Sequence, residues 1–290
     1  MASLLPKSKA MTKPIRVGIF GWPVAHSKSP QMHESAAQAL GIGLRYERFA
    51  VEPRDLAKAV RREHAGRIDG YNLTVPHKEA ILSLLDEVDT TARAIGAVNT
   101  VVRKGERYIG HNTDAPGFVR SLEEAGLSPL DAQVCILGAG GAARAAVLGL
   151  ATAGASEISV LSRRPEQSQA LCDSLAPHVS CKLVPRPLGE ARDAFEGATL
   201  LVQASSATLE SNPGAHAFAA SLPMEALPHT AAVVDMVYKP LETAVLEKAR
   251  SLGLSVVDGL GMLVHQGAIA FELWTGFEPP LEVMRAALKD

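Results

Sequence analysis

At 290 residues the chain is long enough for two domains of ordinary size, each able to bury its own core. Hydrophobic residues make up 47% and charged residues 21%, which excludes a disordered or collagen-like chain. With 29 basic and 31 acidic residues and a formal net charge of -2, no strong field exists to hold a phosphate backbone or an anionic bilayer, so neither nucleic acid nor membrane is an expected partner.

Met1 to Pro14 carries Lys7, Lys9 and Lys13 but lacks the apolar run of roughly 7 to 15 residues that a signal peptide needs, and it reads as a frayed tail. From Ile15 short β-branched runs alternate with helical periodicity: strands at 15–20, 44–51 and 68–73, and helices after Pro30 and from Arg54. Such alternation builds parallel βα units. A helix is expected over His77 to Val88, followed by strands Ala97 to Arg103 and Arg107 to His111 around the turn Lys104-Gly105-Glu106. A second series has strands at 133–137, 157–161, 181–184, 199–203, 231–235 and 254–257, the pattern of a doubly wound sheet. Leu260 to Gly276 is helical again. Cys135, Cys172 and Cys181 are odd in number and lack CxxC spacing, which suits free thiols in a reducing compartment, the cytoplasm. No apolar run approaches the ~20 residues of a membrane span.

The strand Val134 to Leu137 runs straight into Gly138-Ala139-Gly140-Gly141-Ala142-Ala143-Arg144, which opens an alanine-rich helix. This is G-x-G-x-x-A in the strand–turn–helix setting of a Rossmann-type dinucleotide site: Gly138 for the tight turn, Gly140 for close approach of a pyrophosphate, and Ala143 for helix-to-strand packing. At the end of the next strand, where an acid would hold the ribose of NAD, stand Ser162, Arg163 and Arg164. Two guanidiniums suit a 2′-phosphate, so NADP is preferred; Glu166 nearby keeps NAD open, and either arginine could simply face solvent.

Lys78 ends the run Asn72-Leu73-Thr74-Val75-Pro76-His77-Lys78 and is expected in the first turn of a helix, where the macrodipole disfavours a cation; a solvated surface lysine is the alternative. Asp114, closing Gly110-His111-Asn112-Thr113-Asp114, is by default an N-cap, and it could also hold the Lys78 ammonium. In Gly21 to Pro30, capping accounts for Ser29 and leaves Ser27 unexplained; two hydroxyls at a sheet edge could hold a carboxylate or a ring hydroxyl. Gln266 is a lone amide on an apolar helical stripe and needs a partner, either a ligand or a neighbouring backbone group. The nine histidines show no metal spacing, no GxSxG elbow is present, and no metal is expected.

Together these segments, with Ile95 to Thr100, Asp235 to Pro240 and Asp258 to Ala268, resemble the shikimate dehydrogenase family in order along most of the chain. The resemblance implies an α/β protein in which residues 1–114 plus 259–290 form a substrate domain with a mainly parallel sheet, and 115–258 a Rossmann-type NADP domain. It implies reversible reduction of 3-dehydroshikimate to shikimate in aromatic amino acid biosynthesis, with an active site in the cleft between domains. Lys78 and Asp114 become the catalytic pair, Ser27 and Ser29 carboxylate contacts, and Asn72, Thr74, Asn99, Tyr238 and Gln266 further substrate contacts. Gly138, Ala139, Gly140, Gly141, Ala142, Arg163, Arg164, Met236 and Gly259 fall at cofactor positions. Two places depart from the family pattern: Gln203-Ala204-Ser205-Ser206-Ala207-Thr208 replaces Asn-Ala-Thr-Ser, and Ser162 stands where asparagine commonly precedes the arginine. A quinate/shikimate dehydrogenase using NAD and a non-catalytic shikimate sensor are the competing readings. A monomer or homodimer is expected.

Overall fold

The computed structural model describes residues 13–289, so most of the lysine-bearing N-terminal stretch lies outside the described residues. Two six-stranded sheets carry the chain. The first contains β1 (Ile15–Gly21), β2 (Leu44–Ala50), β3 (Gly70–Leu73), β4 (Glu87–Val88), β5 (Thr100–Lys104) and β6 (Arg107–His111), in the order β2-β1-β3-β5-β6-β4. β1 runs parallel to β2 and β3, while β5 is antiparallel to both β3 and β6. The hairpin between β5 and β6 turns at Gly105, whose φ of +65° falls in the left-handed region.

The helix expected over His77 to Val88 does not form. A 3-10 turn spans Ala80–Leu84, and the chain then joins the sheet as β4, parallel to β6. The Asp86 carboxylate accepts the Tyr108 amide, and the Asp86 and Asp89 amides donate to Tyr108 and Gly110. Pairing with an open sheet edge here outweighs local helix preference. A short helix, Thr90–Ile95, follows, capped by Asp89 at its start and by left-handed Gly96 at its end.

The second sheet is wholly parallel: β7 (Gln133–Leu137), β8 (Glu157–Ser162), β9 (Lys182–Pro187), β10 (Leu200–Gln203), β11 (Ala232–Asp235) and β12 (Ser255–Val257), ordered β12-β11-β10-β7-β8-β9. Winding outward in both directions from β7 and β10 places the switch point at the carboxyl ends of those two strands. Continuous apolar runs, such as Val134 to Leu137 and Leu200 to Val202, bury both faces of the sheet under helices.

The helix Leu260–Thr275 and the short Leu281–Ala286 after it pack on the helix Ser29–Ala39, with Val264, Ala268, Phe271 and Met284 against Met32 and Ala36. Between the sheets lies the helix Asp114–Glu124. Its Gly117 lies so close to Leu260–Thr275 that a Cβ would stand 2.6 Å from the Gln266 amide nitrogen. Its Ala115 carbonyl would stand 2.8 Å from a Cβ at Gly149, in the helix Gly141–Thr152. Among the described residues no helix is long and apolar enough to cross a membrane.

Gly117→Ala must push two helices apart, an overpacking cost of roughly 1–3 kcal/mol. We expect the thermal midpoint, read by calorimetry, to fall by roughly 2–5 °C in a chain of this size, whereas Gly126→Ala, where a Cβ meets nothing within 4 Å, should lose less and only through its positive φ.

Candidate active site

Lys78 and Asp114 are 36 residues apart, yet their side chains meet at 2.6 Å, Lys78 Nζ donating to Asp114 Oδ2. Lys78 sits in the turn after β3, ahead of the 3-10 segment, so the macrodipole expected from a helix at this point has no helix behind it. Asp114 is not the N-cap either. Asn112 Oδ1 accepts the amides of Asp114 and Ala115 at 3.1 and 3.2 Å, performing the capping and leaving the Asp114 carboxylate to the cleft. The second carboxylate oxygen accepts from Asn99 Nδ2 at 2.8 Å. Asn99 is buried; its Oδ1 accepts the Thr113 amide at 2.7 Å, and its amide nitrogen also reaches Thr113 Oγ1.

This pair lies in the wall of a cleft of about 890 Å³, which Ser27, Ser29, Asn72, Thr74 and Gln266 also line. Tyr238, Met236, Gly259 and Ala142 border it from the other side. Gln266 Nε2 donates to the Leu263 carbonyl, so a backbone partner satisfies part of the amide, and Oε1 stands 3.5 Å from Asn99 Nδ2. At the serine end the expected roles are exchanged. Ser29 is itself the first helical residue, while Ser27 Oγ accepts the Ser29 amide at 3.3 Å, so Ser27 is the capping side chain. The Arg48 guanidinium donates twice to the Ser27 carbonyl, at 2.8 and 3.1 Å, and brings a positive charge to this end of the cleft.

A second cavity of about 450 Å³ opens over the switch point, lined by Gly138 to Ala142, Ser162, Arg163, Arg164 and the loop 204–207. Gly138 has φ +123°, and a Cβ there would crowd Ser205 and the Ala204 carbonyl at 3.0 and 3.1 Å, so only glycine fits. A Cβ at Gly140 or Gly141 would instead project into open space. The helix Gly141–Thr152 begins there without a side-chain cap or an acidic residue in its first turn, leaving backbone N–H donors free for an anion. Ser162 Oγ donates to the Arg164 carbonyl at 2.5 Å and so shapes the turn that presents both arginines. Glu166 is not among the residues lining this cavity. Ala142 and Met236 border both cavities, which therefore adjoin; Gly259 borders only the larger one. A dinucleotide with a 2′-phosphate fits this donor set: bare glycines at the phosphates and cations at the ribose.

The divergent loop is braced from below. Gln203 is fully buried; its Nε2 donates to the Ser205 carbonyl and to Thr208 Oγ1, and its Oε1 accepts from the Ser205 amide and hydroxyl. Asp235 lies under the same loop, accepting from Thr243 Oγ1 and the Val237 amide, with Thr208 a further partner. Burial raises its pKa against the pull of these hydrogen bonds. Sequence reading gave no role to Asn112 and Thr113, although they stand inside the motif that ends at Asp114, nor to Tyr46 and Arg48, whose only signal was position on a strand.

A doubly wound sheet with a glycine cradle and paired arginines, opening into a cleft that holds a lysine–carboxylate pair, defines a dinucleotide-dependent oxidoreductase of two lobes. Residues 19–101 match the family model described as the shikimate dehydrogenase substrate binding domain, and 259–289 that of the shikimate 5'-dehydrogenase C-terminal domain. Residues 133–206 match a model described as NADP oxidoreductase, coenzyme F420-dependent. A shikimate dehydrogenase (NADP(+)) of Symbiobacterium thermophilum is 43% identical over 277 residues, 93% of this chain and 92% of that one. The structure of shikimate 5-dehydrogenase from Thermus thermophilus in complex with NADP(H) and shikimate is 40% identical, with a TM-score of 0.83 over 94% of this chain and 98% of that one. A quinate dehydrogenase from Corynebacterium glutamicum in complex with NAD is 33% identical, with a TM-score of 0.86 over 94% and 98%. The chain belongs to the shikimate dehydrogenase family.

Behind the cleft His33 is fully buried, with no hydrogen-bond partner among the described residues on either ring nitrogen, and burial pushes its pKa down from 6.5 to about 3. The folded chain thus holds a neutral imidazole that the unfolded chain protonates below pH 6.5. Stability is whole above that pH and falls as the pH drops toward 3, by about 2 kcal/mol at pH 5 from this group. Urea midpoints compared at pH 7.5 and pH 5 should show the decline, and His33→Phe, which keeps an aromatic ring in the site, should reduce it.

Proposed function

We propose that the chain catalyses the reversible NADP-dependent reduction of 3-dehydroshikimate to shikimate. The observation that carries this reading is the Lys78–Asp114 pair at 2.6 Å in the wall of a cleft that shares Ala142 and Met236 with the dinucleotide cavity. When bound, NADPH supplies the hydride to C3 of the substrate. Lys78 donates a proton from Nζ to the C3 oxygen as the carbonyl becomes an alcohol, and the neutral amine is reprotonated from solvent. Asp114 holds the ammonium through Oδ2, and Asn99 on Oδ1 keeps the carboxylate from turning away. In the oxidising direction the same amine takes the proton back.

Ser27 and Ser29 hold the substrate carboxylate, with Arg48 adding charge, while Asn72, Thr74, Asn99, Gln266 and Tyr238 meet the ring hydroxyls. Gly138 to Ala142 cradle the pyrophosphate at the helix start, Arg163 and Arg164 take the 2′-phosphate, and Met236 and Gly259 border the nicotinamide end. In this division residues 1–114 and 259–290 form the substrate lobe and 115–258 the cofactor lobe, with Tyr238 and Gly259 each serving the ligand of the other lobe. Two arginines, with no carboxylate among the described residues that line their cavity, support NADP over NAD and count against the quinate reading. The lysine–carboxylate pair inside the cleft counts against a sensor without turnover. We place the enzyme in the cytoplasm, consistent with three unpaired cysteines.

The deciding assay follows nicotinamide absorbance with shikimate or quinate, each with NADP or NAD; turnover confined to shikimate with NADP is expected, and equal quinate turnover with NAD would overturn the reading. Lys78→Ala should lower kcat by roughly 10²–10⁴ while calorimetry still detects shikimate binding. Arg163→Ala should raise KM for NADP by about tenfold or more, the loss of one charge-assisted contact, and leave KM for NAD nearly unmoved.

A further inference from the structure

Arg144 closes the glycine run and stands in the first turns of the helix Gly141–Thr152, yet it is not among the residues lining the dinucleotide cavity. Its guanidinium reaches across to the other lobe. Nε donates to the Ile95 carbonyl at 2.5 Å, and a terminal nitrogen donates to Ser174 Oγ at 2.9 Å, in the helix Pro165–Leu175 that follows Arg163 and Arg164. Ile95 is the last residue of the helix Thr90–Ile95, so its carbonyl has no partner within that helix and the arginine supplies one.

The residues after Ile95 are the ones that hold the lysine–carboxylate pair. The Ala97 carbonyl accepts from Asn112 Nδ2 at 2.9 Å, and Asn112 Oδ1 in turn accepts the Asp114 amide at 3.1 Å. The Val98 amide donates to the Lys78 carbonyl at 2.8 Å, and Asn99 Nδ2 donates to Asp114 Oδ1 at 2.8 Å. Lys78 and Asp114 are thus both tied to residues 97–99, directly behind the carbonyl that Arg144 holds. Around it the lobes meet through a buried apolar cluster of Ile95, Ala97, Ala115, Ala145 and Leu148. Apolar burial is non-directional, and alanines offer no ridge to lock against, so such a cluster resists separation better than sliding. The hydrogen bonds of a planar guanidinium are directional and fix the position along the helix.

We propose that Arg144 is a positioning residue that sets the register between the hydride donor and the proton donor. Its backbone belongs to the helix start that receives the pyrophosphate, and its side chain holds the segment to which Lys78 and Asp114 are tied. One residue therefore joins the two halves of the reaction, and its loss is felt in the chemical step and not in the affinity for either ligand alone. This inference rests on the reading of Lys78 and Asp114 as the acid/base pair and of Gly138 to Ala142 as the pyrophosphate turn.

The test compares Arg144→Met, which keeps an unbranched stem and loses every donor, with Arg144→Lys, which keeps the charge and a single-point donor. Calorimetry gives the number of shikimate-binding sites and the dissociation constants of shikimate and NADP, each alone, and kcat is expressed per site so that a misfolded fraction does not count as slowed chemistry. Arg144→Met should lower kcat roughly ten- to a hundredfold, the cost of a misplacement of about 1 Å, with each dissociation constant moving by no more than about threefold. Arg144→Lys should recover part of the loss. A kcat per site that stays at the level of the unaltered chain, or a loss confined to NADP affinity as a phosphate contact would give, would overturn the positioning role alone. Absence of shikimate turnover by the unaltered chain would overturn the functional reading and the positioning role with it.

Discussion

The carboxylate of Asp114 is shared between Lys78 on one oxygen and Asn99 on the other, and the rest of the site is arranged so that it can be. A carboxylate at the first position of a helix would ordinarily turn back to cap it. Here Asn112 takes that duty, and the buried Asn99 and Thr113 fill the remaining hydrogen-bonding positions. Three strand ends supply the parts: β3 leads to Lys78, β5 follows Asn99, and β6 leads through Asn112 to Asp114. A mixed sheet with β5 set antiparallel between β3 and β6 is what brings residues 72, 99 and 114 to one edge. The pair is thus a product of sheet topology more than of any local motif.

That distinction explains what could be read from the sequence. The glycine turn from Gly138 to Ala142 was legible because the strand, turn and helix that give it meaning are contiguous, and the same holds for Arg163 and Arg164 one strand later. Lys78 and Asp114 were legible as candidates, and so was the contact between them, but the helix expected under Lys78 and the capping expected of Asp114 are not what the structure shows. Lys78 has no helix under it because residues 86–89 pair with the edge of β6, a contact no window of sequence contains. The exchange between Ser27 and Ser29 is a shift of one helical position, within the range where cap assignments fail. Tyr46 was hidden because an aromatic on a strand is expected in any core, and only the structure shows its oxygen facing Asn72.

The departure at Gln203 has its own internal logic. Its side chain satisfies four groups of the loop that follows, and through Thr208 it reaches Asp235, the buried carboxylate under the Met236–Tyr238 turn. The two loops that border the dinucleotide cavity are therefore stitched to each other beneath the surface. A fully engaged buried network of this kind fixes backbone position better than packing alone. The loop keeps its place over Gly138 despite its altered sequence.

The helix Asp114–Glu124 is gripped by glycine contacts on both sides, at Gly117 against one lobe and through Gly149 against the other. Backbones this close can roll on each other but cannot slide apart without losing contact along their length. The first residue of this helix is Asp114. The lysine–carboxylate pair therefore stands at the start of the helix that both lobes grip, and Ala142 of the glycine cradle borders the same cleft. Backbone packing at Gly117 and Gly149, rather than side-chain contacts alone, thus fixes where the Asp114 carboxylate stands relative to Gln266 on one side and the dinucleotide lobe on the other.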